Sequence, residues 1–237
     1  MTHPLLSVSE LHFAHPGGKA VLNGVSFGMS VNEILVVVGA SGSGKTTLLR
    51  CIAGLDHAQR GQVVLDGIFL QNGTVFKAPE ERPVGMVFQG HALFPHLTVN
   101  GNIGFGLFRL PKAERMERVA DELASVGLTG LGERYPHQLS GGQQQRVAIA
   151  RSLVMRPRLL LMDEPFSDLD RHTRQLVRTE VLQILRAHGT GAIVVTHDRE
   201  DAYHLADRIA ELDQGRFIRI ARAVEFHQPR AERPSPE

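Results

Sequence analysis

The chain has 237 residues, with 26 lysines and arginines against 25 aspartates and glutamates and a formal net charge of +1. This balance argues against a general polyanion binder, which would be strongly basic, so no nucleic-acid partner is expected. A hydrophobic content of 42% predicts a globular chain, and the single cysteine excludes an intrachain disulfide framework. The longest aliphatic run, residues 34–38, is far below the ~20 residues of a membrane helix, and no secretion signal is expected.

The predicted elements begin as short strands and continue as alternating strands and helices. Strands are predicted at residues 5–8, 11–13, 20–27, 33–38, 84–88, 159–162 and 192–196, with hairpins within residues 62–70 and 209–220. Helices are predicted at residues 46–53 and about 141–156, inside a mostly helical region from residue 97. Apolar stripes that include Met116 and Leu176 predict two further helices. The alternation predicts an α/β protein with a parallel sheet and antiparallel strands at its ends.

A glycine-rich segment follows the buried strand at residues 33–38 and precedes a predicted helix. It matches the phosphate-binding pattern G-x-x-x-x-G-K-[ST], for which a plain glycine-rich turn is the alternative. Glycines let successive N–H groups point at phosphate oxygens, and the helix dipole adds positive potential. Lys45 would neutralise β- and γ-phosphate charge, and the Thr46 hydroxyl would bind Mg²⁺. The predicted nucleotide-binding residues are Gly39, Ala40, Ser41, Gly42, Ser43, Gly44, Lys45, Thr46 and Thr47.

Two adjacent carboxylates, Asp163 and Glu164, end another buried strand. Ligands of open parallel sheets bind at the carboxyl ends of the strands. Asp163 is suited to hold Mg²⁺, and Glu164, which points elsewhere, to polarise an attacking water. A strand that ends in solvated acids is the plain alternative, but the neighbouring phosphate loop favours the functional interpretation.

A second helix start, Ser140-Gly141-Gly142-Gln143, has features of an anion site. Ser140 and Gln143 have capping-box spacing, which is the structural alternative. Two glycines at a helix start cost stability, and they favour a ligand that approaches the backbone closely. Free N–H groups there favour an anion. Because the chain already has a phosphate loop, the second site suggests that two chains share each nucleotide.

These segments together resemble the ATP-binding subunits of ABC transporters over nearly the whole chain. Residues 39–46 resemble the Walker A motif, residues 159–164 resemble Walker B, and Leu-Ser-Gly-Gly-Gln at 139–143 resembles the family's signature motif. The resemblance implies a P-loop NTPase (ABC ATPase) core with a mainly parallel sheet, an N-terminal antiparallel β subdomain and an inserted helical subdomain. It implies one domain: a nucleotide-binding core at 1–90 and 157–222, a helical signature subdomain at 91–156, and a tail at 223–237 that is expected to be poorly ordered. No C-terminal regulatory domain is expected.

The same resemblance implies roles for further residues. Gln89 resembles the Q-loop glutamine, which senses Mg²⁺ and the transport partner, and residues 167–170 resemble the D-loop. His197 resembles the switch histidine that contacts the γ-phosphate, although alone it would be read as a loop histidine. The implied catalytic residues are Glu164, His197, Lys45 and Gln89. The implied Mg²⁺ ligands are Thr46, Gln89 and Asp163.

The family likeness also implies partners and a location. Two copies would bind two ATP molecules head to tail, with the Walker residues of one chain facing Ser140, Gly141, Gly142 and Gln143 of the other. ATP would close the homodimer and hydrolysis would reopen it. The movement would pass to integral membrane permease subunits, at the cytoplasmic face of the inner membrane, and indirectly to a solute-binding protein. Phe94, Pro95 and His96 are predicted to form part of the socket for the permease.

Two residues depart from the family pattern. The family stacks adenine on an aromatic residue in the first strands, and the aligned position here is His15, with Phe13 as the alternative. Asp168 replaces the usual alanine of the D-loop and adds a carboxylate near the expected dimer seam.

The motif surroundings also suggest a transported solute. Residues 89–106 resemble importers of small polar solutes, and residues 39–51 and 134–139 are most similar to ferric-iron importers. Polyamine, sulfate, molybdate and thiamine importers share much of this sequence and stay open as alternatives. The twelve histidines form no helix-spaced cluster, so other subunits would handle any iron.

Three rival classes share single features with this chain. A soluble ABC ATPase acting on DNA or ribosomes would have coiled-coil insertions or tandem cassettes, and neither is present. A nucleotide kinase would lack the signature motif, and a non-enzymatic nucleotide-binding module would not need both Glu164 and His197.

Overall fold

The computed structural model describes residues 4–226. Their strands are β1 (Leu6–Ala14), β2 (Ala20–Met29), β3 (Ile34–Val38), β4 (Arg60–Leu65), β5 (Ile68–Gln71), β6 (Val84–Val87), β7 (Leu159–Asp163), β8 (Gly191–Thr196), β9 (Arg208–Asp213) and β10 (Arg216–Arg222). Their α-helices are α1 (Lys45–Ala53), α2 (Val99–Ile103), α3 (Lys112–Ser125), α4 (Gly141–Leu153), α5 (Arg171–His188), α6 (Arg199–Leu205) and α7 (Ala223–Phe226). The α/β fold is as predicted, and no helix in this part of the chain is both long and apolar enough to cross a bilayer.

A four-stranded antiparallel sheet of order β2-β1-β4-β5 contains the N-terminal strands. The predicted strands at 5–8 and 11–13 are two halves of β1, separated by a bulge at which Glu10 has a φ of +47°. A Cβ at Gly61 would lie 2.4 Å from the Glu10 carbonyl oxygen, so β4 passes the bulge only with glycine there.

The second sheet has six strands in the order β10-β9-β3-β8-β7-β6, and only β10 is antiparallel to its neighbour. Strands β3, β7 and β8 are buried along their whole length, as their unbroken apolar sequences predict. Because these strands are parallel, the segments that follow them meet at one edge of the sheet.

Each face of this sheet packs into a separate hydrophobic cluster. In β3, Leu35 and Val37 pack on the side of α1 and the antiparallel sheet, whereas Val36 packs on the side of α4. This alternation follows from the two-residue period of a strand. Cys51 of α1 is buried in the first cluster, and burial raises the pKa of its thiol to about 12.

The structure corrects four expectations about the elements. Helix α4 ends at Leu153 rather than near residue 156, and Arg156 has a left-handed φ of +54°. Met116 and Leu176, expected on apolar core stripes, are 61% and 56% exposed. The expected disordered tail begins with the short helix α7, whose Phe226 is buried, and the rest of that tail lies outside the described residues.

Candidate functional site

The phosphate loop joins the carboxyl end of β3 to the start of α1. Gly44, with φ +105°, directly precedes the helix, and Gly42 has φ +79°. Glycine adopts this left-handed backbone at little cost. At Gly39, a Cβ would lie 2.3 Å from the carbonyl oxygen of Leu212 and 2.7 Å from the Ser43 hydroxyl. The loop geometry therefore requires the glycines that the sequence pattern contains.

The side chain of Lys45 is buried against this loop. Its Nζ donates hydrogen bonds to the carbonyl oxygens of Gly39, at 2.8 Å, and Ala40, at 3.0 Å. Burial lowers the pKa of Lys45, and the charges of Glu164 and Asp163 oppose that shift. These two hydrogen bonds hold the ammonium group against the phosphate loop, where it can neutralise a bound anion.

Thr46 and Asp163 connect the first turn of α1 to the end of β7. Thr46 Oγ1 donates a hydrogen bond of 3.0 Å to Asp163 Oδ1. Burial raises the pKa of Asp163, whereas the Thr46 hydrogen bond lowers it and the charge of Glu164 raises it further. The structure therefore brings together two of the three residues predicted to bind Mg²⁺.

Glu164 and His197 directly follow the adjacent strands β7 and β8. His197 Nδ1 lies 3.0 Å from Glu164 Oε2, and the His197 side chain is 56% exposed. Glu164 has a left-handed φ of +43°, and its N–H donates to the Val195 carbonyl. Such a backbone in a residue other than glycine costs roughly 1–3 kcal/mol and is typical of functional sites. The predicted base and the predicted phosphate sensor contact each other.

Gln89 lies in an exposed turn two residues after β6. Val87 of β6 pairs with Met162 of β7, so Gln89 and Asp163 follow neighbouring strands at the same sheet edge. Among residues 4–226, the hydroxyl of Thr46 bonds to Asp163 and not to Gln89. The third predicted Mg²⁺ ligand is therefore at the correct edge without a direct bond to the other two.

The two candidate adenine-stacking residues have different exposure. Phe13 is 7% exposed, whereas His15 is exposed, and their rings meet edge to face with centroids 5.0 Å apart. Phe13 pairs with Leu22 of β2, and a Cβ at Gly44 would lie 3.1 Å from Leu22 Cδ2. The strand that ends near His15 therefore runs beside the phosphate loop, and only the His15 ring is open to a ligand.

The signature segment forms the N-terminus of α4. Ser140 Oγ accepts a hydrogen bond from the Gln143 N–H, and Gln143 Oε1 accepts one from the Ser140 N–H, so the capping box is present. A Cβ at Gly142 would lie 2.7 Å from Cγ2 of Val177 on α5. Close helix packing therefore explains Gly142 without a ligand, which weakens one part of the sequence argument. Gly141 is exposed, and a Cβ there would lie 3.0 Å from Leu169 Cδ2.

Sequence analysis missed a group of charged residues under the His197 loop. Arg174 and Arg178, one turn apart on α5, both contact the Asp198 carboxylate, at 3.0 and 3.5 Å. Arg178 also pairs with the buried Asp201. Burial would raise the pKa of Asp198, but a hydrogen bond from the Glu200 N–H and the two guanidinium groups lower it overall. The helix-capping position of Asp198 and the i, i+4 spacing of the arginines were the available signals.

Asp168, which replaces the usual alanine of the family's D-loop, lies beside the turn that contains Gln89. A Cβ at Gly90 would lie 3.8 Å from Asp168 Oδ2. Burial lowers the pKa of His91 in that turn, and the charge of Asp168 opposes the shift. The D-loop and the Q-loop therefore face each other within one chain.

The residues at this edge fit a magnesium–triphosphate group. The Ser43 hydroxyl is buried and, within the described chain, has no hydrogen-bond partner, so a phosphate oxygen would satisfy it. The Thr46 hydroxyl and the Asp163 carboxylate are hard oxygen donors, which Mg²⁺ prefers. Residues 4–226 contain no cluster of three or more His, Cys, Asp or Glu side chains that could hold a metal ion. Magnesium would be held here by side-chain oxygens together with substrate oxygens.

The fold and this loop define a P-loop NTPase. The family model described as "ABC transporter" matches residues 22–167, which include the phosphate loop, the signature segment and the two carboxylates. The chain belongs to the ABC transporter family, as the sequence motifs predicted.

Two curated relatives extend the similarity along the chain. The putrescine transport ATP-binding protein PotG of Escherichia coli is 45% identical over 99% of this chain and 61% of its own length. The Fe(3+) ions import ATP-binding protein FbpC of Haemophilus influenzae is 46% identical over 93% of this chain and 63% of its own length. The chain thus spans about three fifths of the length of these relatives.

Two solved structures share the fold. CbiO1 from Clostridium perfringens, part of the ABC transporter complex CbiONQ, has a TM-score of 0.85 and 28% identity, over 94% of this chain and 90% of its own. A dimeric ATP-binding cassette in a post-hydrolysis state, bound to ADP and phosphate, has a TM-score of 0.78 and 30% identity, over 92% of this chain and 98% of its own.

Proposed function

We propose that this chain is the ATP-hydrolysing subunit of an ABC importer and that it works as a homodimer. The observation that carries the proposal is the contact between Glu164 and His197, 3.0 Å apart, at the same sheet edge as the bonded pair Thr46 and Asp163. A module that only binds nucleotide has no need of a carboxylate and an imidazole held together beside its phosphate loop. The alternative from another functional class is a soluble ABC ATPase that takes no part in transport.

Different side chains of the chain would have different roles in ATP hydrolysis. Lys45 and the loop N–H groups would bind the β- and γ-phosphates of ATP. Thr46, Asp163 and Gln89 would hold Mg²⁺, which when bound supplies charge neutralisation at the phosphates. Glu164 orients the attacking water and accepts its proton at Oε1 or Oε2. His197 holds the Glu164 carboxylate through Nδ1 and presents its exposed ring edge to the γ-phosphate. His15 stacks on adenine.

The signature residues act on the nucleotide of the other copy. Ser140 and Gly141 are exposed at the positive end of the 13-residue helix α4, and the hydrogen bonds of the Ser140–Gln143 capping box stay within that segment. A second chain that docks head to tail would bring this helix end to a γ-phosphate. The similar cassette in the post-hydrolysis state is dimeric and bound to ADP and phosphate, which supports a dimer for this chain.

The helical subdomain, residues 91–156, provides the surface for the permease. An apolar groove of about 1020 Å³ runs between α2 and α3, and Phe105 and Phe108 line it while remaining 53% and 68% exposed. Phe94, from the segment after Gln89, packs against Phe105 with ring centroids 4.4 Å apart and the ring planes tilted by 36°. Exposed aromatic residues in a groove suit an apolar helix of a partner. The groove would place the protein, as a peripheral subunit, at the cytoplasmic face of the inner membrane, with a solute-binding protein acting indirectly.

The proposed solute is small and polar, with ferric iron as the first candidate and a polyamine, sulfate, molybdate or thiamine as alternatives. The residues around the phosphate loop support iron, and the FbpC relative is named for Fe(3+). PotG, at nearly the same identity, is named for putrescine and supports the polyamine alternative.

The central test measures phosphate release from ATP by the purified chain, alone and co-expressed with candidate permease subunits from the same organism. Mg²⁺-dependent hydrolysis and co-purification with integral membrane proteins are expected. Hydrolysis by a chain that co-purifies with no integral membrane protein would favour the soluble alternative, and no hydrolysis in either preparation would overturn the proposal. Radiolabelled iron and putrescine uptake in cells with the complete transporter would then separate the two solutes.

A further inference from the structure

We infer that Arg174 is a positioning residue that sets the distance between the segment after Glu164 and the segment that carries His197. The inference rests on the proposed ATPase function and extends it to a residue on the long helix α5, outside the motifs of the sequence. Among the described residues, Arg174 has no hydrogen bond or ion pair with Glu164 or His197, so it would act through the two segments that it joins.

Arg174 makes one contact with each of these segments. Its Nη2 donates to the Leu169 carbonyl at 3.1 Å, and its Nη1 donates to Asp198 Oδ2 at 3.0 Å. Leu169 belongs to the segment that begins at Glu164, and Asp198 directly follows His197. A planar guanidinium group is suited to hold two acceptors at a fixed spacing, and a lysine ammonium is not.

The acceptors of Arg174 are themselves fixed. Asp198 Oδ1 accepts the N–H of Glu200 at 2.7 Å as the cap of α6, and the Asp198 N–H donates to Thr196 Oγ1 at 3.0 Å. On the other side, the Ser167 hydroxyl donates to the Glu164 carbonyl at 3.0 Å. Neither segment can turn freely while these bonds hold.

The contacts close a loop of interactions around the proposed catalytic pair. Glu164 touches His197, His197 is joined by one peptide bond to Asp198, and Asp198 is held by Arg174, which returns to Leu169 five residues after Glu164. The Arg174 and Asp198 side chains are each 24% exposed, so their attraction is partly shielded from solvent. Loss of Arg174 would remove the link between Asp198 and Leu169 in this loop of interactions.

Arg178 and Arg174 differ in their expected roles. Arg178 is 4% exposed and contacts the buried Asp201 as well as Asp198, so its removal would leave a buried carboxylate without its partner. Arg174 can be removed with less damage, because Asp198 keeps its contact with Arg178. Arg174 is therefore the better site for a test of positioning.

The experiment compares ATP hydrolysis by the wild-type chain, Arg174→Ala and Arg174→Lys. The kcat of Arg174→Ala should fall about 10-fold or more while KM for ATP changes less than about twofold, since the binding loop is untouched. Arg174→Lys should restore only part of kcat. The matched control is Arg186→Ala, on the same helix, which removes a two-pronged contact with Asp207 far from His197 and should keep kcat.

A double-mutant cycle separates positioning from general stability. If Arg174 acts by positioning His197, then Arg174→Ala should have little further effect in the His197→Ala background. Equal fold-losses in both backgrounds, or an unchanged kcat in Arg174→Ala, would overturn the inference while wild-type hydrolysis leaves the proposed function intact. If Arg174→Ala does not fold, the same double-mutant cycle with Arg174→Lys tests whether the effect depends on His197. A wild-type chain that hydrolyses no ATP, either alone or with the permease, would overturn both proposals.

Discussion

Nδ1 of His197 and Oε2 of Glu164 lie 3.0 Å apart, although 33 positions separate them in sequence. The register of the parallel strands explains the contact. Asp163 pairs with Val195, so the residues that follow the ends of β7 and β8 emerge side by side. The Glu164 carboxylate follows one strand and the His197 imidazole follows the other, so the parallel sheet brings together two groups that are distant in sequence.

Replacement of Glu164 by glutamine should lower ATP turnover by at least ~10² while nucleotide binding is retained, because an amide cannot accept the proton of the attacking water. The variant should also accumulate as an ATP-bound dimer. Phosphate release and light scattering would measure the two effects. The control is Glu180→Gln. Glu180 lies on α5 and pairs with Arg146 of α4, and this variant should hydrolyse ATP normally. Near-normal turnover in Glu164→Gln would refute the assignment.

Replacement of Lys45 by alanine should abolish ATP binding without unfolding the chain, because the ammonium group is the buried cation at the phosphate loop. Nucleotide titration beside circular dichroism would test this. Lys112→Ala, at the exposed start of α3, gives the matched control. An affinity equal to that of the wild type would contradict the role of Lys45.

Sharing of the nucleotide between two chains can be tested by mixing two inactive variants. Ser140→Arg damages the signature face and Lys45→Ala damages the phosphate loop, so each homodimer has two impaired sites. In the mixed dimer, one site carries both lesions and the other carries none. Partial recovery of ATPase activity is therefore expected after mixing. If the Glu164→Gln chain forms no ATP-dependent dimer, the sharing hypothesis fails whatever the mixing result.

Phe94→Ala should leave basal ATPase activity of the isolated chain nearly unchanged but weaken assembly with the permease. The Phe94 ring packs on Phe105 at the apolar groove, and an aromatic anchor at an interface can be worth ~2 kcal/mol or more. Co-purification and solute uptake would measure the effect. Phe69→Ala, in the N-terminal sheet, removes an exposed aromatic residue elsewhere and should assemble normally. Normal transport by Phe94→Ala would contradict the coupling role.

The contact between His188 and Glu122 predicts a pH-dependent contribution to stability. The Glu122 carboxylate, 3.2 Å away, raises the pKa of His188 despite burial, and the Ile184 carbonyl adds to the shift. The folded-state pKa is therefore above the unfolded value of about 6.5, so this stabilisation is present below that pH and is lost as pH rises through the folded pKa. Urea unfolding of wild type and His188→Gln should show a difference that shrinks with rising pH, and Glu122→Gln should behave alike. A difference that grows with pH would contradict the prediction.

The sequence predicted most of the parallel sheet and its binding edge, because both depend on local patterns. Strand β3 reads as an unbroken apolar run, and the phosphate loop follows it directly. The contact of Arg174 with Asp198 joins residues 24 positions apart and depends on how α5 lies on the sheet, which no short pattern encodes. The packing role of Gly142 could not be predicted for the same reason, because its contact with Val177 depends on how α4 and α5 lie against each other.

Exposure was harder to predict than secondary structure. Met116 lies on an apolar stripe of α3 but borders the open groove, so it is 61% exposed. Phe13 was the alternative to His15 for adenine stacking, yet the β1–β2 pairing directs its ring into the core. In both cases the residue type was compatible with burial and with exposure, and packing between distant elements decided the outcome.

The burial of Cys51 makes this protein convenient for site-directed labelling. Thiol reagents attack the thiolate, and a fully buried sulfur with a pKa of about 12 offers almost none at neutral pH. The sequence contains no other cysteine. A cysteine introduced at exposed Phe108 would therefore take up a spin label or fluorophore selectively in the wild-type background, and distances between the labels of two chains could follow the opening and closing of the proposed dimer directly.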